Sequence, residues 1–183
     1  MLVLVVGPSG AGKDTLLAGA RSALGEDGRF RFVRRAITRP AEAGGEPHES
    51  VTEAEFDERL AAGRFALHWR AHGLQYGIPT DIADDLAQGR VVVANLSRAV
   101  IAEAAQQFRV RVVEVTAPPD LLARRLAARG REDADDLARR LARAIALPLP
   151  VERETIMNDS TVEDGTARLV AALNRAASGA PPA

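Results

Sequence analysis

The segment GPSGAGKDT, Gly7 to Thr15, follows an apolar, β-branched run and precedes a stretch suited to a helix. Its G-x-x-x-x-G-K frame in that context is the arrangement that wraps a phosphate. Gly7, Gly10 and Gly12, with Pro8, Ser9 and Ala11 between them, let backbone N–H groups curl around an anion, and the start of the next helix adds the positive end of its dipole. Lys13 supplies a compact point charge for β- and γ-phosphates, a role that arginine's planar fork fills poorly. Of 24 basic residues it is the one lysine, the rest being arginine. Position 14, usually the Ser or Thr that ligates Mg²⁺, is Asp14, with Thr15 next. A carboxylate there suits Mg²⁺ and equally suits a helix start, and both readings stand.

A second group of residues speaks to the acceptor. The apolar run Arg90 to Asn95 ends in Asn95 instead of the aspartate of motor and switch NTPases, which points to a kinase acting on small molecules. An alcohol acceptor usually needs a general base, whereas a phosphate acceptor is already an anion and needs a cationic cradle. Arg34, Arg35 and Arg39 close the second apolar run, and Arg70 stands just before His72-Gly73. The segment LLARRLAARGREDADDLARRLARA carries Arg124, Arg125, Arg129, Arg131, Arg139, Arg140 and Arg143 with no aromatic residue. It reads as a helical lid, about 124–143, that closes over phosphates and excludes water. Each arginine also fits a solvated face in a chain this rich in Arg.

The elements that position these residues follow from periodicity. Leu2 to Val6 reads as a strand buried on both faces, and Asp14 to Leu24 as a helix stopped at Gly25. Phe30 to Ile37 reads as a second strand. Thr52 and Glu55 form a capping box ahead of a helix reaching Ala62. Arg64–Arg70 and Leu74–Tyr76 are strand-like around Gly73, and Asp81–Gln88 is helical. Arg90–Asn95 and Arg109–Val115 are further strands, with Ser97 capping the helix after the first of them. Asp120–Arg129, Leu137–Leu147 and Thr161–Ala177 read as helices, and Thr155–Met157 as a short strand. Strands alternating with helices mean an α/β fold, a parallel sheet covered on both faces. Residues 38–80 break that rhythm and read as an acceptor-binding insert at the sheet's C-terminal edge, where such folds bind ligands. Residues 178–183 read as a frayed tail.

A chain of 183 residues and 19.5 kDa accommodates one domain with a full core. Net charge is -1, which argues against a protein built to coat nucleic acid or an anionic membrane. Zero cysteines exclude disulfides, a thiolate nucleophile and a cysteine-ligated metal, and fit a reducing cytoplasm. The apolar run Met1–Val6 is too short for a secretory core or a membrane span, so a soluble, cytoplasmic protein is expected.

GPSGAGKDT, RRAITRP, HGLQYG, LARRLAARGRE and MND, in this order over nearly the whole chain, resemble the guanylate-kinase-like P-loop kinases. Within that superfamily, GKD, ITRPA-x-AG, FAL-x-W and R-G-R-E are similar to the ribose 1,5-bisphosphate phosphokinases of phosphonate catabolism. The departures from guanylate kinases agree with one another. Their guanine-reading glutamate aligns with Arg70, their Thr-Ser after Tyr-Gly with Ile78-Pro79, and their second phosphate-binding arginine with Glu42. Their acidic residue after the central strand aligns with Asn95, and a tyrosine with His48. Arginine has no acceptor for guanine N–H groups but suits a phosphate.

The resemblance implies transfer of the γ-phosphoryl of ATP to the 1-phosphate of ribose 1,5-bisphosphate, giving 5-phospho-α-D-ribose 1-diphosphate. It implies that Lys13 and the loop hold ATP, that Mg²⁺ bridges the donor phosphates through Asp14, and that Arg129 and Arg140, eleven residues apart, are lid arginines stabilising the transferring group. Arg35, Arg39, Arg70 and Tyr76, with His48 and Asn95, grip the phosphorylated sugar, and Asn158 lies near the adenine. Two other readings stand beside it: a guanylate or other nucleoside monophosphate kinase, and a non-catalytic guanylate-kinase-like binding module. The intact Lys13 loop speaks against the second. Trp69 and Phe65, alternating on one strand, read as core, and His68 and His72 as polar surface.

Overall fold

The computed structural model describes residues 1–40, 46–127 and 151–179. At its centre lies β1 (Leu2–Val6), buried along its whole length. It is the middle strand of a five-stranded sheet in the order β2 (Phe30–Phe32), β7 (Val91–Asn95), β1, β8 (Val110–Thr116), β9 (Arg153–Met157). Every pairing is parallel, as apolar runs separated by helices demand. On one face α1 (Lys13–Leu24) and α6 (Val162–Ser178) bring Leu16, Leu17, Leu169 and Leu173 onto Val3, Val5, Val113 and Val115. On the other, α3 (Ile82–Ala87) and α4 (Ile101–Gln107) place Ile82 and Ile101 against Leu2, Leu4, Val92 and Val112. α5 (Pro119–Ala127) adds Leu122 to the first face. Among the described residues no helix is long and apolar enough to cross a membrane.

A second, four-stranded sheet stands apart, in the order β4 (Glu49–Ser50), β3 (Ala36–Ile37), β6 (Leu74–Pro79), β5 (Phe65–Ala71). His72 and Gly73 join β5 to β6 with φ values of +53° and +72°. Positive φ at both central residues is the turn whose twist matches an antiparallel hairpin. α2 (Glu53–Ala61) starts on the expected capping box, where Glu55 N–H donates to Thr52 Oγ1 (3.2 Å) and Thr52 N–H donates to the Glu55 carboxylate (2.7 Å).

One expectation changes. The single strand Phe30–Ile37 is two strands in different sheets. Phe32 pairs with Val93 of β7, Val33 N–H donates to Val93 O (2.9 Å), and the Arg21 guanidinium binds the carbonyls of Phe32 and Val33. The chain then leaves, so that Ala36 and Ile37 pair with Gly77 and Tyr76. The insert therefore begins before residue 38. Phe65 and Trp69 both pack into apolar clusters, as expected, but into different ones. An irregularity in the register between Phe65 and Leu67 sends Phe65 toward α2, where it stacks on Phe56 at 4.5 Å, while Leu67 and Trp69 join the main core.

The α2 side of the insert thus rests on a small core of its own: Ala36, Val51 and Phe56, with Leu60 and Phe65 packed against them. Phe56→Ala is expected to loosen the insert by about 3–5 kcal/mol. Amide exchange should quicken in β3, β5 and β6 while β1 and β8 keep their protection. Equal acceleration in both sheets would show that the insert does not open separately.

Candidate active site

The phosphate loop is shaped by what lies around it. A Cβ on Gly7 (φ +148°) would collide with the carbonyl of Val115 on β8, and one on Gly12 (φ +88°) with the amide of Asn158. Asn158, buried just past β9, donates from Nδ2 to Ala11 O at 2.7 Å and holds the loop from beneath. Gly165 of α6 lets the helix approach the other end of that carboxamide. Lys13 opens α1 and folds back over the loop, donating to Gly7 O (2.8 Å) and Pro8 O (3.0 Å). Burial lowers its pKa to about 8; neighbouring Asp14 opposes that shift, and Arg35 and Arg98 add to it. Three cations therefore bear on the place where a phosphate chain would lie. Arg98, which sequence reasoning did not single out, is anchored to Glu114 at 2.8 Å.

From the loop, contacts run to the insert without a break. Asn95, at the end of β7, donates from Nδ2 to Asp14 Oδ1 (3.1 Å) and to Glu46 Oε2. Arg35 Nη2 donates to the same Glu46 oxygen at 3.2 Å, and its guanidinium lies 5.3 Å from the ring centre of Tyr76. Tyr76 stacks on Trp69 at 5.2 Å, the planes 5° apart. Buried His48 is held by Glu46 O (3.0 Å), Arg39 O (3.2 Å) and Arg39 Nη2 (3.2 Å), and its own carbonyl accepts from Arg34 Nη2 (2.9 Å). Arg35, Arg39, His48, Tyr76 and Asn95 are thus brought together beside Asp14. Glu46 joins them unannounced by the sequence, in which it is one more charge in a Gly-rich loop. Burial raises its carboxyl above the usual range, against the pull of Arg35.

Arg70 is not brought to this cluster. In the β5–β6 register Trp69 opposes Tyr76 and Arg70 opposes Gln75, so Arg70 lies on the other face of the sheet. There Gln75 Nε2 donates to Asp57 of α2 (3.1 Å), and Arg70 is exposed. Trp69 and Leu67 occupy the cluster's side of β5 instead. A period of two decides this, and a motif alignment carries no information about faces. His68 is exposed, as expected. Glu42, Arg129 and Arg140, with most of the expected lid, lie outside the described residues.

No protein-family model matches the sequence. The chain is 54% identical over 173 residues to a ribose 1,5-bisphosphate phosphokinase from Methylobacterium radiotolerans, which covers 94% of this chain and 96% of that protein. The chain belongs to the ribose 1,5-bisphosphate phosphokinase family. It is also 51% identical over 175 residues to a bifunctional ribose 1,5-bisphosphokinase-thymidine phosphorylase from Azorhizobium caulinodans, spanning 94% of this chain but only 25% of that longer protein. Among solved structures, guanylate kinase from Anaplasma phagocytophilum superposes with a TM-score of 0.70 at 18% identity, over 96% of this chain and 85% of that one. At that identity the match speaks for the fold alone.

Membership in this family leaves the protonation of Lys13 to its local burial. Nucleotide phosphates select the ammonium form. Below pH 8 that form already prevails in the free protein. Above it, binding carries the cost of protonating the amine. The Kd for ADP, measured by calorimetry, should be flat below pH 8 and rise above it by at most about tenfold per unit. Lys13→Arg, charged throughout, should bind more weakly and lose the inflection.

Proposed function

We propose that the chain transfers the γ-phosphoryl group of ATP to the 1-phosphate of ribose 1,5-bisphosphate, giving ADP and 5-phospho-α-D-ribose 1-diphosphate. One observation carries the reading: in a chain related along nearly its whole length to a ribose 1,5-bisphosphate phosphokinase, the insert's Arg35 is joined through Glu46 and Asn95 to Asp14 at the phosphate loop, with Arg39 behind it on His48. A 1-phosphate oxygen attacks the γ-phosphorus in line, and the bond from that phosphorus to the β–γ bridging oxygen breaks, its electrons leaving on ADP. The attacking oxygen is already anionic near neutral pH, so no general base is required. The protein supplies position and positive charge.

Lys13 and the loop amides hold the donor. Mg²⁺ neutralises charge on the transferring phosphates when bound. Among the described residues no cluster of three or more His, Cys, Asp or Glu is placed to hold a metal by itself. Asp14 together with phosphate oxygens fits the ordinary ligand set of this ion. Arg35, Arg39 and Tyr76 face the acceptor, Asn158 keeps the loop at the height the nucleotide needs, and the family resemblance assigns Arg129 and Arg140 to stabilising the transferring group.

The decisive assay is ADP release with ATP and Mg²⁺ in the presence of ribose 1,5-bisphosphate, of GMP, or of no acceptor. Release is expected with the sugar alone, with the diphosphate product identified by phosphorus NMR. Turnover of GMP but not of the sugar would overturn the reading. Arg35→Ala and Arg39→Ala should each raise the acceptor KM by about 10- to 100-fold, the worth of one or two charge-assisted hydrogen bonds. Arg70→Ala, on the far face, should leave it within about twofold.

A further inference from the structure

We propose that Glu46 reads a secondary hydroxyl of the acceptor sugar, making it the residue that separates a ribose bisphosphate from its deoxy counterparts. The inference rests on the function proposed above and adds a specificity contact to it.

Glu46 is 8% exposed and is held by two donors, Asn95 Nδ2 and Arg35 Nη2. Both bind Oε2. Among the described residues Oε1 accepts no hydrogen bond, and Glu46 closes one end of a cavity of about 250 Å³ that runs along α1 and β2, lined by Asp14, Leu17, Arg21, Phe32 and Asn95. A carboxylate that has been desolvated and pinned through one oxygen presents the other in a fixed direction.

The chemistry of the neighbours explains why an acceptor is needed there. Arg35, Arg39 and Lys13 donate only, which suits phosphates and leaves sugar hydroxyls without a partner for their protons. The ring nitrogens of His48 are engaged by Arg39 and by the backbone of Glu46. With Asp14 assigned to the donor side, Glu46 Oε1 is the anionic acceptor left open on the acceptor side among the described residues. Asn95 spans Glu46 and Asp14, so a sugar ring seated on Glu46 is indexed to the phosphate loop by one intervening side chain. A site built to bond a hydroxyl rejects the analogue that lacks it, because its own buried group is then left unpaired.

The test is kcat/KM for ribose 1,5-bisphosphate and for its 2-deoxy and 3-deoxy analogues, in wild type, Glu46→Ala and Glu46→Gln, with thermal unfolding of each variant. In wild type one of the two analogues should fall by about 10- to 100-fold, and Glu46→Ala should lower the native substrate by a similar factor while leaving that analogue within about threefold. Glu46→Gln, which keeps an oxygen, should recover part of the loss. If Glu46→Ala lowers all three substrates by one common factor, Glu46 only positions Arg35 and the proposal fails. Wild-type indifference to both hydroxyls refutes it even if neither variant folds. Failure of the wild type to turn over ribose 1,5-bisphosphate at all would strike the proposed function instead.

Discussion

A lysine ammonium packed against the carbonyls of its own loop is the constraint on which the rest of this structure depends. Lys13 is charged where burial disfavours charge, and it is satisfied for the moment by Gly7 O and Pro8 O. An arriving phosphate offers what those carbonyls cannot, a full negative charge. The loop has to keep its shape for that exchange, and it is held by elements distant in sequence. β8 presses its Val115 carbonyl against Gly7, and Asn158 supports Ala11 from below. The parallel sheet is what brings these strand ends to one edge.

The insert works on a different principle. One face of its sheet is shared with the main core through Leu67, Trp69 and Ile78, and α2 covers part of the other through Phe56, where Arg70 stays exposed. Such a sheet cannot slip by one residue without sending Trp69 outward and Arg70 inward. Arg35, Tyr76 and Glu46 are therefore presented by a scaffold whose register is held by apolar burial. The catalytic edge is polar, but what aims it is hydrophobic.

Charge balance across the site follows the same logic. Arginines suited to phosphates are offset by Glu46 and Asp14, with Asn95 hydrogen-bonded to both. The carboxylates offset the mutual repulsion of the cations packed around them.

Much of this was written in the order of residues. The glycine frame with its one lysine, the apolar runs of β1, β7 and β8, and the capping box at Thr52 are local patterns, and local sterics and hydrogen bonding enforce them wherever they occur. Motif matching also named Arg35, Arg39, His48, Tyr76 and Asn95, which the fold gathers into one cluster, and Arg70, which it does not. What only the tertiary structure decided were matters of partnership. It divided Phe30–Ile37 between two sheets, turned Arg70 away from the cluster, placed Asn158 under the loop, and drew Glu46 into the cluster. These outcomes depend on which distant backbone or side chain completes a hydrogen bond or a dry face, and a one-dimensional pattern names the group that needs a partner without naming the partner.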